Sequence, residues 1–135
     1  MSQLAVDKPC RCRLFVSRPE FFPPTDPHKA ALFTIATIMN GQNLNFGKEV
    51  LTKLWADEQD ISQDAVLEDI CKKLNINFNE LKKQADSDEI KNIYASNSQE
   101  AIDKGVFGAP SFIIDNELFW GQDRLDFLED KIKSI

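Results

Sequence analysis

The sequence is poor in the residues that most redox and metal chemistry needs. It has one histidine, His28, and three cysteines, Cys10, Cys12 and Cys71. Cys10 and Cys12 are spaced C-x-C, so the C-x-x-C pair of a dithiol redox site is missing. A zinc site takes about four ligands, and so sparse a set does not assemble one. An odd number of cysteines makes no disulfide framework and reads as reduced thiols in a cytoplasmic protein. No apolar run reaches the ~20 residues that span a bilayer. Met1 to Pro9 lacks the basic stretch and apolar run of a secretory signal. No lysine and arginine cluster interleaves with aromatics, and the net charge is -6. Phosphate neutralisation needs such a cluster, so non-specific nucleic-acid binding is excluded.

What remains is an ordinary globular chain. Its 135 residues are 42% apolar and 28% charged, which suits one domain with a real core. Residues 1–26 read as an irregular segment with one candidate strand over 12–17, where Leu14 and Val16 share a face. Arg18 to Pro24 holds three prolines, which remove donors and fix φ, so it is an extended connector.

Residues 27–104 read as helical. Asp26 is the N-cap of a first helix and Pro27 its first residue. That helix is apolar nearly all round, as in a central, buried helix, and Asn40-Gly41 ends it. A second helix over 46–57 carries Phe46, Val50, Leu51, Leu54 and Trp55 as one stripe. Trp55 is read there as core packing, with ligand contact as the other reading. Ser62 is expected to cap a third helix, with Asp64 in its first turn and Ile61 and Val66 at staple spacing. Asn77 caps a fourth helix and Ser87 a fifth, which stops at Gly105.

Residues 105–135 read as strand, strand, helix. Phe112 to Ile114 is apolar at successive positions, which implies cover on both faces. Asp115-Asn116 makes a tight turn, and Glu117 to Trp120 returns antiparallel. A lone hairpin is marginal, so the sheet is expected to take a further strand. Residues 12–17, a second copy in a homodimer, or a separate N-terminal complement are the sources open to it.

Gly105-Val-Phe-Gly-Ala-Pro110, the hairpin, and Leu118-Phe-Trp-Gly-Gln-Asp-Arg-Leu125 together resemble the C-terminal signature of 2-hydroxychromene-2-carboxylate isomerases. These are relatives of kappa-class glutathione transferases in the DsbA-like branch of the thioredoxin superfamily. Leu54-Trp-Ala-Asp-Glu-Gln-Asp-Ile-Ser62 and Phe22-Pro-Pro24 resemble that family's helical insert. The resemblance covers about residues 20–135. It implies an α/β, thioredoxin-like but incomplete fold, a helical insert followed by a ββα unit. Nothing in Met1 to Glu20 matches the family's opening βαβ or its serine or cysteine turn, so neither Ser2 nor Ser17 receives a catalytic role.

The resemblance also implies a site. Pro110 matches the cis-proline of thioredoxin-like folds. Ala109 before it would pair, strand-like, with the cysteinyl part of glutathione. Gln122 and Asp123 would hold the γ-glutamyl end, where a carboxylate suits an α-ammonium and a helix N-terminus suits a carboxylate. The residue-level alternatives are a plain turn at Pro110 and a helix cap at Asp123. Arg124 is open between an ion pair at the mouth and no role. The implied reaction is glutathione-dependent cis–trans isomerisation of a small aromatic substrate. A non-catalytic thiol- or peptide-binding remnant is the alternative, and a disulfide oxidoreductase is disfavoured by the missing C-x-x-C.

Overall fold

The computed structural model describes residues 20–135. They divide into two compact units, with the boundary at Ile90 and Lys91.

The first unit holds α1 (Lys29–Met39), α2 (Phe46–Trp55), α3 (Asp64–Lys73) and α4 (Phe78–Ala85). Local chemistry starts and stops these helices. Asp26 Oδ1 accepts the backbone N–H of His28 at 2.9 Å and of Lys29 at 3.2 Å, so it is the functional cap of α1. Asn77 Oδ1 accepts the N–H of Glu80 at 3.2 Å and caps α4. Gly41, at φ +63, ends α1 in the left-handed conformation. The N–H of Gln42 then reaches the Thr37 carbonyl and that of Gly41 the Ile38 carbonyl, closing a Schellman motif.

The core of this unit sits where α1 meets α2 and α4. The Phe33 ring lies 6.4 Å from Phe46 and 5.9 Å from Phe78, both stacked. Leu67, Ile70, Leu81 and Ala85 are buried in the same unit. Two sequence expectations are corrected here. α1 is not buried all round: Ala30, Phe33, Ala36 and Thr37 are inside, but Ile38 and Met39 are 53% and 56% exposed. In α2 the buried stripe is Phe46, Val50 and Leu54, at strict i, i+4, i+8 spacing. Leu51 and Trp55 fall one position round and are exposed; Trp55 packs on Phe22 with ring centroids 5.2 Å apart.

Ser62 is a third correction. The residue at the N-cap of α3 is Gln63, with no side-chain cap bond. The Ser62 hydroxyl instead accepts the N–H of Asp26 at 2.8 Å, tying the start of α1 to the start of α3. Lys29 Nζ adds a bond to the Ser62 carbonyl at 2.8 Å and sits 2.5 Å from Asp64.

The second unit runs from α5 (Asp88–Asp103), whose first turn crosses the boundary, through β1 (Ser111–Ile114), β2 (Glu117–Trp120) and a 3-10 turn at Gln122–Arg124 to α6 (Leu125–Lys133). Ser87 Oγ accepts the Ile90 N–H at 3.4 Å. The two strands are antiparallel, with Ser111 opposite Trp120, Phe112 opposite Phe119, Ile113 opposite Leu118 and Ile114 opposite Glu117. Asp115 and Asn116 both have positive φ, 51° and 63°, the type I′ geometry of a two-residue hairpin.

Among the described residues the sheet has only these two strands. All four residues of β1 are half-buried, so the cover on both faces that the apolar run implies is partial. The candidate strand over 12–17 lies outside the described residues. Among the described residues no helix is long and apolar enough to cross a membrane.

Candidate functional site

The site is built on the segment that joins α5 to β1. Gly105, at φ +78, stops α5 with a second Schellman motif: its N–H reaches the Ile102 carbonyl, and that of Val106 reaches Ala101. The chain then passes under Trp120. A Cβ added to Gly108 would lie 2.5 Å from Trp120 Nε1, so only glycine lets the indole rest there. Phe107 packs at a tilt against the same indole, with ring centroids 5.2 Å apart, and the Ser111 hydroxyl donates to the Gly108 carbonyl at 2.5 Å. The Ala109–Pro110 peptide is cis.

One further bond sets the phase of the hairpin. The Gly121 N–H donates to the Pro110 carbonyl at 2.9 Å, in register with the pairs above. Antiparallel pairs alternate between hydrogen-bonded and non-bonded. The bonded pairs are therefore Pro110 with Gly121, Phe112 with Phe119, and Ile114 with Glu117. The residues between them, Ser111 and Ile113, turn their N–H and C=O away from β2. Ala109 has no backbone hydrogen-bond partner among the described residues.

Ala109, Ser111 and Ile113 line one cavity of about 410 Å³. Its other wall is the C-terminal half of α5 and the turn after it, with Asn97, Glu100 and Lys104 as polar side chains and Ala101 and Val106 as apolar ones. Lys104 Nζ pairs with Glu100 at 2.5 Å.

Of the four residues singled out from the sequence, only Ala109 lines this cavity. The Pro110–Gly121 bond places Ala109-Pro110 and Gln122-Asp123 at the same end of the hairpin. Neither the 3-10 turn nor α6 has a side-chain cap bond, so Asp123 is not acting as a helix cap. Its Oδ1 folds back over Gly121, within 2.5 Å of where a Cβ would stand, and it forms no ion pair among the described residues. Gly121, at φ +97, keeps that space open. Among the described residues Arg124 makes no ion pair; its guanidinium lies over Phe127 at 5.5 Å.

Sequence reasoning missed the wall of the cavity. The i, i+3, i+4 spacing of Asn97, Glu100, Ala101 and Lys104 on α5 was a usable signal. The seat of Trp120 on Gly108 had none, because it joins residues across the hairpin. Cys71 is far from this chemistry in kind. It is fully buried in α3, and burial, helped by Glu68, pushes its thiol up to about 11.

The model of the DSBA-like thioredoxin domain matches residues 19–133. The chain belongs to that family. This DSBA-like domain is 53% identical over 36 residues to a 2-hydroxychromene-2-carboxylate isomerase of Sphingobium xenophagum; the match covers 27% of the chain and 18% of that protein. It also superposes on the solved structure of selenomethionine 2-hydroxychromene-2-carboxylate isomerase with a TM-score of 0.64 at 19% identity. That superposition covers 82% of the DSBA-like chain and 56% of the solved one, and it establishes a shared fold. The chain thus spans about half the length of the solved isomerase and under a fifth of the sequence relative.

Proposed function

We propose that the chain carries the glutathione-binding half of an isomerase that acts on 2-hydroxychromene-2-carboxylate or a close aromatic relative in the cytoplasm. The observation that carries this is Ala109. Its N–H and C=O have no backbone partner among the described residues, and they border a cavity of ligand size. An extended cysteinyl residue complements such a pair with two hydrogen bonds. Gln122 and the carboxylate of Asp123, which forms no ion pair among the described residues, lie at the same end of the hairpin and suit the γ-glutamyl carboxylate and ammonium.

Bound there, glutathione would supply a thiol nucleophile for reversible addition to a conjugated, ring-opened substrate, the chemistry that permits cis–trans rotation. This chain's residues hold and orient the thiol peptide. Activation of the thiol needs a group other than Ala109, Pro110, Gln122 and Asp123. Match to a relative known by that name supports the substrate class.

Binding without turnover is the second reading.

Calorimetric titration with glutathione tests the binding step, and silence at millimolar ligand removes it. Incubation with 2-hydroxychromene-2-carboxylate, with and without glutathione, followed by absorbance, tests turnover. Heat without an absorbance change selects the second reading.

A further inference from the structure

We infer that the Asn40–Gly41 turn is a modification site, where Asn40 deamidates, and that Gln84 is the latch that holds the reaction back in the folded chain. The chemistry comes from the residue pair. Asn40 is the only asparagine followed by glycine. The backbone nitrogen of Gly41 can attack Cγ of Asn40, and glycine, with no Cβ, leaves that approach open. The nitrogen gives up its proton, a new N–Cγ bond closes a cyclic imide, and Nδ2 leaves as ammonia. Water then opens the ring at either carbonyl, giving aspartate or isoaspartate. The balance is water in and ammonia out, and both residues of the turn are exposed to solvent.

The folded chain engages both reacting groups. Gln84 Nε2 donates to Asn40 Oδ1 at 2.7 Å across 44 positions of sequence, and Asn40 Nδ2 donates back to Gln84 Oε1. The Gly41 N–H donates to the Ile38 carbonyl at 3.0 Å as part of the Schellman motif. One effect runs the other way, since a donor on Oδ1 draws electron density from Cγ and favours attack. Geometry outweighs it. Attack comes from above the amide plane and makes Cγ tetrahedral, so the flat, reciprocal amide pair has to break first. The product then loosens the join between α1 and α4. The last turn of α1 holds no basic residue, so a new carboxylate meets the negative end of the helix uncompensated. It also leaves Gln84 Oε1 without its donor. Isoaspartate adds Cβ to the main chain and moves the Gly41 and Gln42 N–H groups off the Ile38 and Thr37 carbonyls.

Incubation of the full chain at neutral pH tests this, with ion exchange to follow the gain of negative charge and peptide mapping to place aspartate and isoaspartate. The unaltered chain should react slowly when folded and much faster in urea, with position 40 modified ahead of every other asparagine. Gln84→Ala should speed the folded-state reaction about tenfold, for loss of the paired amides. Gln84→Glu keeps an acceptor for Nδ2 and loses the donor to Oδ1, so its rate should fall between the two. Ser62→Ala weakens the same unit away from this turn and controls for general loosening; it should react at nearly the unaltered rate. The purified deamidated chain should unfold at lower urea than the unmodified one. An unchanged or slower rate in Gln84→Ala, an equal gain in Ser62→Ala, or equal rates folded and in urea overturns the latch. Faster reaction at another asparagine overturns the site.

Discussion

The Ser62 hydroxyl receives the backbone N–H of Asp26 at 2.8 Å across 36 residues of sequence. Asp26 in turn caps α1, and Lys29 in the first turn of α1 returns to the Ser62 carbonyl. The starts of two helices are thus fastened to each other. Asp60 makes this available, because its Oδ1 takes the Ser62 N–H at 2.9 Å and turns the loop.

Replacing Ser62→Ala removes the acceptor for the Asp26 N–H and should cost about 1–2 kcal/mol. Asp26→Ala should cost about 1 kcal/mol through the lost cap. Because the residues share one network, the double variant should lose less than the sum. Urea unfolding of the three variants measures this; strict additivity would show that the two ends act independently.

Asp64 lies between Lys29 and Lys82, at 2.5 and 2.6 Å, and these cations hold its carboxyl below the usual range. A carboxyl lowered in the folded state stabilises the fold above its unfolded pKa of roughly 3.9. That contribution disappears as pH falls through the folded value. Asp64→Asn should therefore lower stability at pH 7 by a few tenths to about 1 kcal/mol, a modest figure because the pair is partly solvated. The gap to the unaltered protein should narrow as pH falls through the folded value, measured as urea midpoints against pH.

Gly108→Ala should dislodge the indole that rests on it, since the added Cβ would stand 2.5 Å from Trp120 Nε1. A cost of about 1–3 kcal/mol is expected for such overpacking. Emission from Trp120, read in a Trp55→Phe background, should shift to the red. An unchanged spectrum and midpoint would show that the loop relaxes freely.

Asp123→Ala should leave stability within about 0.5 kcal/mol, because the side chain neither caps a helix nor joins an ion pair among the described residues. Glutathione affinity should still fall, about tenfold, for loss of one charged contact. Calorimetry and unfolding on the same sample separate the two effects, and unchanged affinity takes the residue out of the site.

Cys71, with its thiol raised to about 11 by burial, should resist thiol reagents at pH 8 until the protein unfolds. Stability should be full below the unfolded value of roughly 8.5 and fall as pH rises toward 11, since the unfolded state loses that proton first. Labelling in a Cys10→Ser, Cys12→Ser background, with and without urea, checks the first point; fast native labelling would contradict the burial.

Features legible in the chain were those settled by neighbours a few residues apart. Asp26, Asn77 and Ser87 cap because their oxygens reach N–H groups two or three residues on. Gly41 and Gly105 end helices, and Asp115-Asn116 turns a hairpin, because those positions require positive φ. The family signature from Gly105 to Leu125 is local in the same way, so membership in the DSBA-like family was readable in outline. Ser62 was misplaced because a local cap and a partner 36 residues away compete for the same hydroxyl, and only packing brings the second within reach. Trp55 and Leu51 carried the right hydrophobicity on the wrong side, since a period alone does not say which neighbouring face is covered. The site divides along the same line. The sequence by itself determined that Ala109 and Pro110 precede a strand and that Gln122 and Asp123 follow one. Only the tertiary structure decided the pairing of Pro110 with Gly121, which turns the backbone groups of Ser111 and Ile113 away from β2, along a cavity that Ala109 also lines. A one-residue slip would have turned them inward, because strand side chains and backbone groups alternate with period two.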